Sequence, residues 1–196
     1  MNSKLSMILF VLILGSVLTT ALVAVDQLTK EPIARNKAVK LQKGILSSLS
    51  IEFGQDDIDK KFSSNIEIIE RQGFELVKFY RCQTSGDIAF EISGTGVQGP
   101  IHGTIALSPD LEEIRGLSIV EQKETPGLGG RIVESEFLNQ FKGKKVSSGL
   151  AILSPGKAAA DNEVDGLTGA TLTCNALEIL LNSEIKKYVV MFRESK

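Results

Sequence analysis

The sequence predicts an α+β domain, an antiparallel sheet packed with helices, behind one N-terminal transmembrane helix. Three observations carry this. An uncharged apolar run opens the chain, short β-type runs follow in series through its middle, and an apolar stripe at helical spacing closes it. The 196 residues leave room for one domain and an anchor. The division expected is an anchor over 1–25, a helical linker and start of the domain over 26–64, and the folded domain over 65–196.

Leu5 to Val25 holds no charged residue and is rich in Leu, Ile, Val, Ala and Met. At helical rise it spans roughly 30 Å, the thickness of a bilayer core. A cleaved signal peptide is the alternative. Its apolar region would be unusually long and its one cleavage triplet, Leu22-Val23-Ala24, is mediocre, so the sequence favours a retained single-pass anchor. Lys4 lies before the span and Lys30, Arg35, Lys37 and Lys40 after it, so positive charge does not fix the orientation. A short tail before a long domain has the form of an uncleaved signal anchor, which places the domain outside the cytoplasm.

Ile33 to Leu49 reads as a helix, with Leu41, Ile45, Leu46 and Leu49 on one face and Pro32 at its start. Asp56 to Phe62 suggests a short helix. Ile66 to Ile69 and Phe74 to Tyr80 flank Gln72-Gly73 as a hairpin. Asp87 to Ser93 alternates Ile88, Phe90 and Ile92 with polar neighbours. Ile101 to Leu107 and Ile114 to Val120 continue the series around Pro109-Asp110. Val133, Phe137 and Phe141 predict a helix over 133–141, and Lys145 to Leu153 reads as another strand. Leu177, Leu180, Leu181, Ile185, Tyr188, Val189 and Phe192 then mark the closing helix.

Composition excludes several function classes. Lys and Arg number 22 against 24 Asp and Glu, which gives no electrostatic case for nucleic acid. Cys82 and Cys174 cannot build a disulfide framework and lack metal-site spacing. They form either one disulfide outside the cytoplasm or, as the ordinary case, two packed thiols. No metal site is expected. The single histidine, His102, reads as a strand residue, because no Gly-x-Ser-x-Gly elbow accompanies it. Gly94-Thr95-Gly96-Val97-Gln98-Gly99 satisfies G-x-G-x-x-G literally, but Pro100 and a strand follow where a dinucleotide site needs a helix. It reads as a turn between strands.

Two stretches carry chemistry. Asp165-Gly166-Leu167-Thr168-Gly169-Ala170-Thr171-Leu172-Thr173 joins small and hydroxyl residues to the start of the last helix. Gly and Ala admit a close ligand, and a helix N-terminus offers free N–H groups to an anion. The Thr hydroxyls add donors, acceptors or a point of covalent attachment, so the residues point to a phosphate-sized anion. The plainer reading has Thr168 or Thr171 capping the helix. Glu124-Thr125-Pro126-Gly127-Leu128-Gly129-Gly130 is a sharply turned loop whose N–H groups can face a ligand.

Together, and in this order, the two stretches resemble the hallmarks of the FMN-binding domain family, and the resemblance extends from about Ile92 to Leu177. In that family a dedicated flavin transferase joins FMN through its phosphate to the Thr after Gly-Ala, here Thr171. The resemblance implies a covalent FMN phosphoester at Thr171, with Asp165, Gly169 and Ala170 presenting it to the transferase. It implies FMN contacts from Thr168 and Thr173 at the phosphate, and from Glu124, Thr125, Gly127, Leu128 and Gly129 on the other wall. Within the family the motifs lean towards members of sodium-translocating NADH:quinone reductase (Nqr) complexes, with members of the Rnf electron-transport complexes close by. They depart at Val97-Gln98, where the Nqr type carries a Leu-Trp pair. The implied protein is an electron-carrying subunit in a bacterial inner membrane, its domain on the periplasmic side and its partners the other membrane subunits of an Nqr- or Rnf-type complex. A free-standing anchored flavin carrier and a non-redox anchored binding domain are the alternatives.

Overall fold

The computed structural model describes residues 3–54, 56–72 and 76–194. The chain divides into two compact units, Met1–Val39 and Lys40–Lys196. Helix α1 runs from Ser3 to Ser48. Among the described residues it is the one helix long and apolar enough to cross a membrane. Pro32 lies inside it, not at the start of a second helix as the sequence suggested. An internal proline removes one amide donor, a local loss of about 3 kcal/mol, and good helix formers on both sides (Leu28, Lys30, Glu31, Ala34, Arg35) carry the helix through.

In the second unit, α2 (Ile58–Asn65) leads into five strands: β1 (Ile66–Gln72), β2 (Leu76–Cys82), β3 (Ile88–Thr95), β4 (Pro100–Leu107) and β5 (Ile114–Glu121). They pair in sequence order, antiparallel throughout. The expected β1–β2 hairpin is present, with Gln72 opposite Leu76. Its proposed turn residue Gly73, and Phe74 of the expected second strand, lie outside the described residues. The short helix sits slightly later than the 56–62 the sequence indicated.

Both faces of the sheet are covered. One face packs Phe79, Phe90, Ile92, Ile101 and Ile105 against Leu177, Leu180, Leu181 and Ile185 of the closing helix α4 (Thr171–Glu194). The last turns of α1 cover the other face, where Ile45 and Leu46 are fully buried. Two glycines permit that approach: a Cβ on Gly44 would lie 2.6 Å from Val120, and one on Gly116 would lie 2.4 Å from the Ser48 carbonyl oxygen. Cover on both sides explains why Gly103 to Leu107 is buried without alternation.

After β5 the chain makes a 3-10 turn (Gly129–Val133) and a short helix α3 (Ser135–Asn139). The sequence had suggested one helix over 133–141. The break comes at Glu134, whose extended backbone (ψ 134°) separates the two. Phe137 and Phe141 still meet edge to face at 5.4 Å. The strand expected over 145–153 is reduced to β6 (Ala151–Leu153), because Gly149 turns the chain with φ +80°. β6 pairs in parallel with β7 (Glu163–Asp165), a strand too short to show alternation in the sequence. Side chains of α4 hold β6 in place. Asn182 accepts from Leu150 N at 2.7 Å and donates to Leu150 O at 2.8 Å, and Glu178 accepts from Ile152 N at 2.6 Å.

Candidate functional site

Helix α4 begins at Thr171, and the Ala170 carbonyl accepts the first helical bond from Cys174 N at 2.9 Å. Ala170 therefore occupies the N-cap, where its methyl group can accept nothing. The first-turn amides of Thr171, Leu172 and Thr173 gain no cap from it. Neither Thr168 nor Thr171 caps the helix, so the plain capping reading of the sequence does not hold. Thr171 is exposed, and Gly169 just before it turns the backbone with φ +79°. A bare hydroxyl thus stands beside uncommitted N–H groups at the positive end of a 24-residue helix.

Glu124 organises the wall opposite. Its side chain is buried, with the residue 5% exposed. Oε1 accepts from the backbone N–H of Val97 at 2.8 Å and of Gln98 at 3.1 Å. Oε2 accepts from Thr173 Oγ1 at 2.7 Å. One carboxylate thus ties the β3–β4 turn to the first turn of α4. The glycines of that turn follow from packing. A Cβ on Gly96 would lie 2.3 Å from Glu124 Oε1, and one on Gly94 would lie 2.6 Å from Leu180. A Cβ on Gly129 would lie 2.3 Å from Thr173 Oγ1 and 2.9 Å from Glu124 Oε2. The literal G-x-G-x-x-G is therefore a close-packed turn between strands, as the sequence reading had it.

Between these walls lies an open cleft of about 310 Å³. Val97, Gln98, Glu124, Thr125, Leu128, Gly129, Gly169, Ala170, Thr171, Leu172 and Thr173 line it. The structure thus gathers both sequence motifs into one place. Gly127 is not in the lining; with φ +75° and open space around it, it shapes the loop. Thr168 lines a second hollow of about 450 Å³, beside Leu153 and Asn175, and Gly169 and Thr171 border both hollows. The apolar walls Val97, Leu128 and Leu172 are 45%, 47% and 69% exposed. Leu172 was not singled out from the sequence. Its signal is an apolar residue set on the polar side of an amphipathic helix, against the stripe that begins at Leu177.

Asp165 does not line the cleft. Its Oδ1 accepts from Lys157 N at 2.8 Å and Ala158 N at 3.0 Å, which pins the 154–158 loop. These amides, that of Ala158 foremost, hold its carboxyl below the usual carboxylate range. Gln140 braces the same residue from α3's end, donating to Asp165 O at 3.2 Å and accepting from Asp165 N at 3.0 Å. Cys82 and Cys174 are both free and buried. Burial pushes the Cys174 thiol up, as befits a packed residue.

The cleft has what a flavin mononucleotide requires. There are amides and a hydroxyl for a phosphate, glycines where bulk would intrude, and apolar walls for a planar ring. Comparison with known proteins agrees. Residues 96–186 match the family model described as FMN-binding domain. Among curated relatives, the NqrC protein of the Na(+)-translocating NADH-quinone reductase of Chlamydia trachomatis is 32% identical over 133 residues, covering 56% of this chain and 42% of the relative. Its Haemophilus ducreyi counterpart is 38% identical over 108 residues, 53% of this chain and 42% of the relative. The matched stretches thus span less than half the length of these relatives. The crystal structure of the equivalent protein from Parabacteroides distasonis superposes with a TM-score of 0.72 at 26% identity, covering 82% of this chain and 94% of that one. Shewanella oneidensis NqrC, at 18% identity and a TM-score of 0.65, covers 74% of this chain and 90% of its own, and shares the fold. The match to the FMN-binding domain model thus takes in a little under half of the chain, and the similarity to the Parabacteroides distasonis structure extends beyond those bounds.

Proposed function

We propose that this chain is a membrane-anchored flavoprotein subunit that carries FMN esterified through its phosphate to Thr171 and relays electrons within an Nqr-type sodium-translocating NADH:quinone reductase. The observation that carries the reading is the bare Thr171 hydroxyl at an uncapped helix start, facing a cleft built from both glycine loops. Bound FMN supplies the redox chemistry. The chain's residues hold and orient it. The amides of Thr171, Leu172 and Thr173 face the phosphate. Leu128, Val97 and Leu172 flank the ring and shed water from it. Gly169 and Ala170 leave the Thr171 hydroxyl open to a flavin transferase. The Thr173 hydroxyl proton is committed to Glu124, which leaves its backbone N–H as its contribution to the phosphate. Asp165 acts one step back, fixing the loop beside the acceptor.

The anchor raises the effective concentration of the flavin at its membrane partners, and the ester prevents its loss from a domain on the periplasmic side of the inner membrane. The test is the intact mass of the exported chain after co-expression with a flavin transferase, beside Thr171→Ala. The expected result is one FMN-ester increment and in-gel fluorescence in the first and neither in the second. An unmodified wild-type chain, with a control substrate labelled in the same cells, sinks the reading. Co-purification with multi-span membrane proteins tests the assignment to a complex.

A further inference from the structure

We propose that Glu124 is the positioning residue of the flavin site in two senses: it locks the cleft before the flavin arrives, and its carboxylate sets a negative charge in the cleft wall that opposes electron uptake. The inference rests on the flavin reading and extends it to a residue that the reading leaves as mere lining.

The first sense follows from geometry. Three segments far apart in sequence meet at this carboxylate: the turn at Val97 and Gln98, the loop of Glu124 itself, and the helix start at Thr173. Gly96 and Gly129 each stand where a methyl group would strike the clamp. Without it, the Val97 and Gln98 amides lose a buried acceptor and the separation of the two cleft walls loses its tie. The attachment threonine lies two residues from the clamped Thr173, so the clamp also fixes where the Thr171 hydroxyl stands.

The second sense follows from charge. Glu124 belongs to none of the ion pairs among the described residues. Its partners are amides and one hydroxyl, which orient the carboxylate without cancelling its charge. It is 5% exposed and lines the cleft, so solvent screens it less than a surface carboxylate. A fixed anion beside a group that accepts electrons makes the reduced form less favourable.

Glu124→Gln separates the two senses. The amide oxygen still accepts from Val97 and Gln98, and its NH₂ donates to Thr173 Oγ1, which accepts equally well. Shape and clamp are kept while the charge is lost. Glu124→Ala removes both. The experiment uses the full chain co-expressed with a flavin transferase and reads two quantities. One is the fraction carrying the FMN mass increment. The other is the ratio of reduced to oxidised flavin, from visible absorbance, in dithionite titrations against a redox indicator.

Glu124→Gln is expected to load as wild type and to show a reduced-to-oxidised ratio raised on the order of tenfold at the potential where wild type is half reduced. Glu124→Ala is expected to lose at least half of its loading. A Glu124→Gln titration that overlays wild type overturns the charge role, and wild-type loading of Glu124→Ala overturns the clamp. A wild-type chain that takes up no flavin overturns the underlying flavin reading, an outcome distinct from either.

Discussion

The two ends of α4 are built on opposite terms. At its C-terminal half, Tyr188 packs edge to face on Phe79 at 5.9 Å and lies 4.8 Å from Phe90, while Phe192 meets Phe79 at 5.1 Å. At its N-terminus the helix has an alanine for a cap, an exposed threonine and an exposed leucine. One end is closed by aromatic contacts; the other leaves its amides open. A single rigid helix can thus be anchored by one end and present chemistry with the other, and packing elsewhere offsets the uncapped end.

Substitutions at the two ends test that contrast. Phe79→Ala removes the hub of the aromatic cluster, 1% exposed. It is expected to cost about 3–5 kcal/mol in urea unfolding of the domain. A loss under about 1 kcal/mol refutes the cluster as the anchor. Gly94→Ala drives a methyl group against Leu180, 2.6 Å away, and is expected to cost about 1–3 kcal/mol by the same measurement. Thr171→Ala, at the open end, is expected to change stability by less than about 0.5 kcal/mol when both chains are compared without flavin, although it removes the proposed attachment point. A larger loss means that Thr171 has a structural part the open-end description omits.

The smallest expected effect concerns pH. Asp165 has its folded pKa lowered by the Ala158 and Lys157 amides. A depressed carboxylate stabilises the fold above its unfolded pKa, about 3.9, and that contribution fades as pH falls through the lower folded value. Asp165→Asn is therefore expected to be less stable than wild type at neutral pH and to converge with it in strong acid. A stability gap that persists unchanged into strong acid means that the loop contacts do not depend on the charge.

The regular parts of the fold were legible because one physical signal dominated each. The meander strands show apolar residues at every second position, as at Ile88, Phe90 and Ile92, and α4 keeps its stripe for its whole buried length. Legibility failed where tertiary contacts override local pattern. The β6–β7 pair depends on Asn182 and Glu178 reaching across from α4, and no local window contains both partners. Pro32 suggested a helix start because proline is best tolerated there, whereas the good helix formers on both sides carry one helix through it. The site shows the same division. The motifs named Thr171 and the glycine loops, and the structure brings these together. The hydrogen bonds of Glu124 and Asp165 depend on partners dozens of positions away or folded back from a neighbouring loop. Leu172 is exposed because of where α4 lies, which composition does not reveal.

If Thr171 carries the proposed ester, the missing cap at Ala170 gives the chain a built-in record of its own maturation. Without a bound phosphate the amides of Thr171, Leu172 and Thr173 have no intrahelical acceptor and exchange directly with water. A phosphate seated across them supplies the acceptors that the alanine cannot. The helix start is then the place where a finished molecule and an unfinished one differ most in local opening. A protease, or amide exchange followed by mass spectrometry, can tell the two apart at that turn while the aromatic end of the same helix reads identically in both.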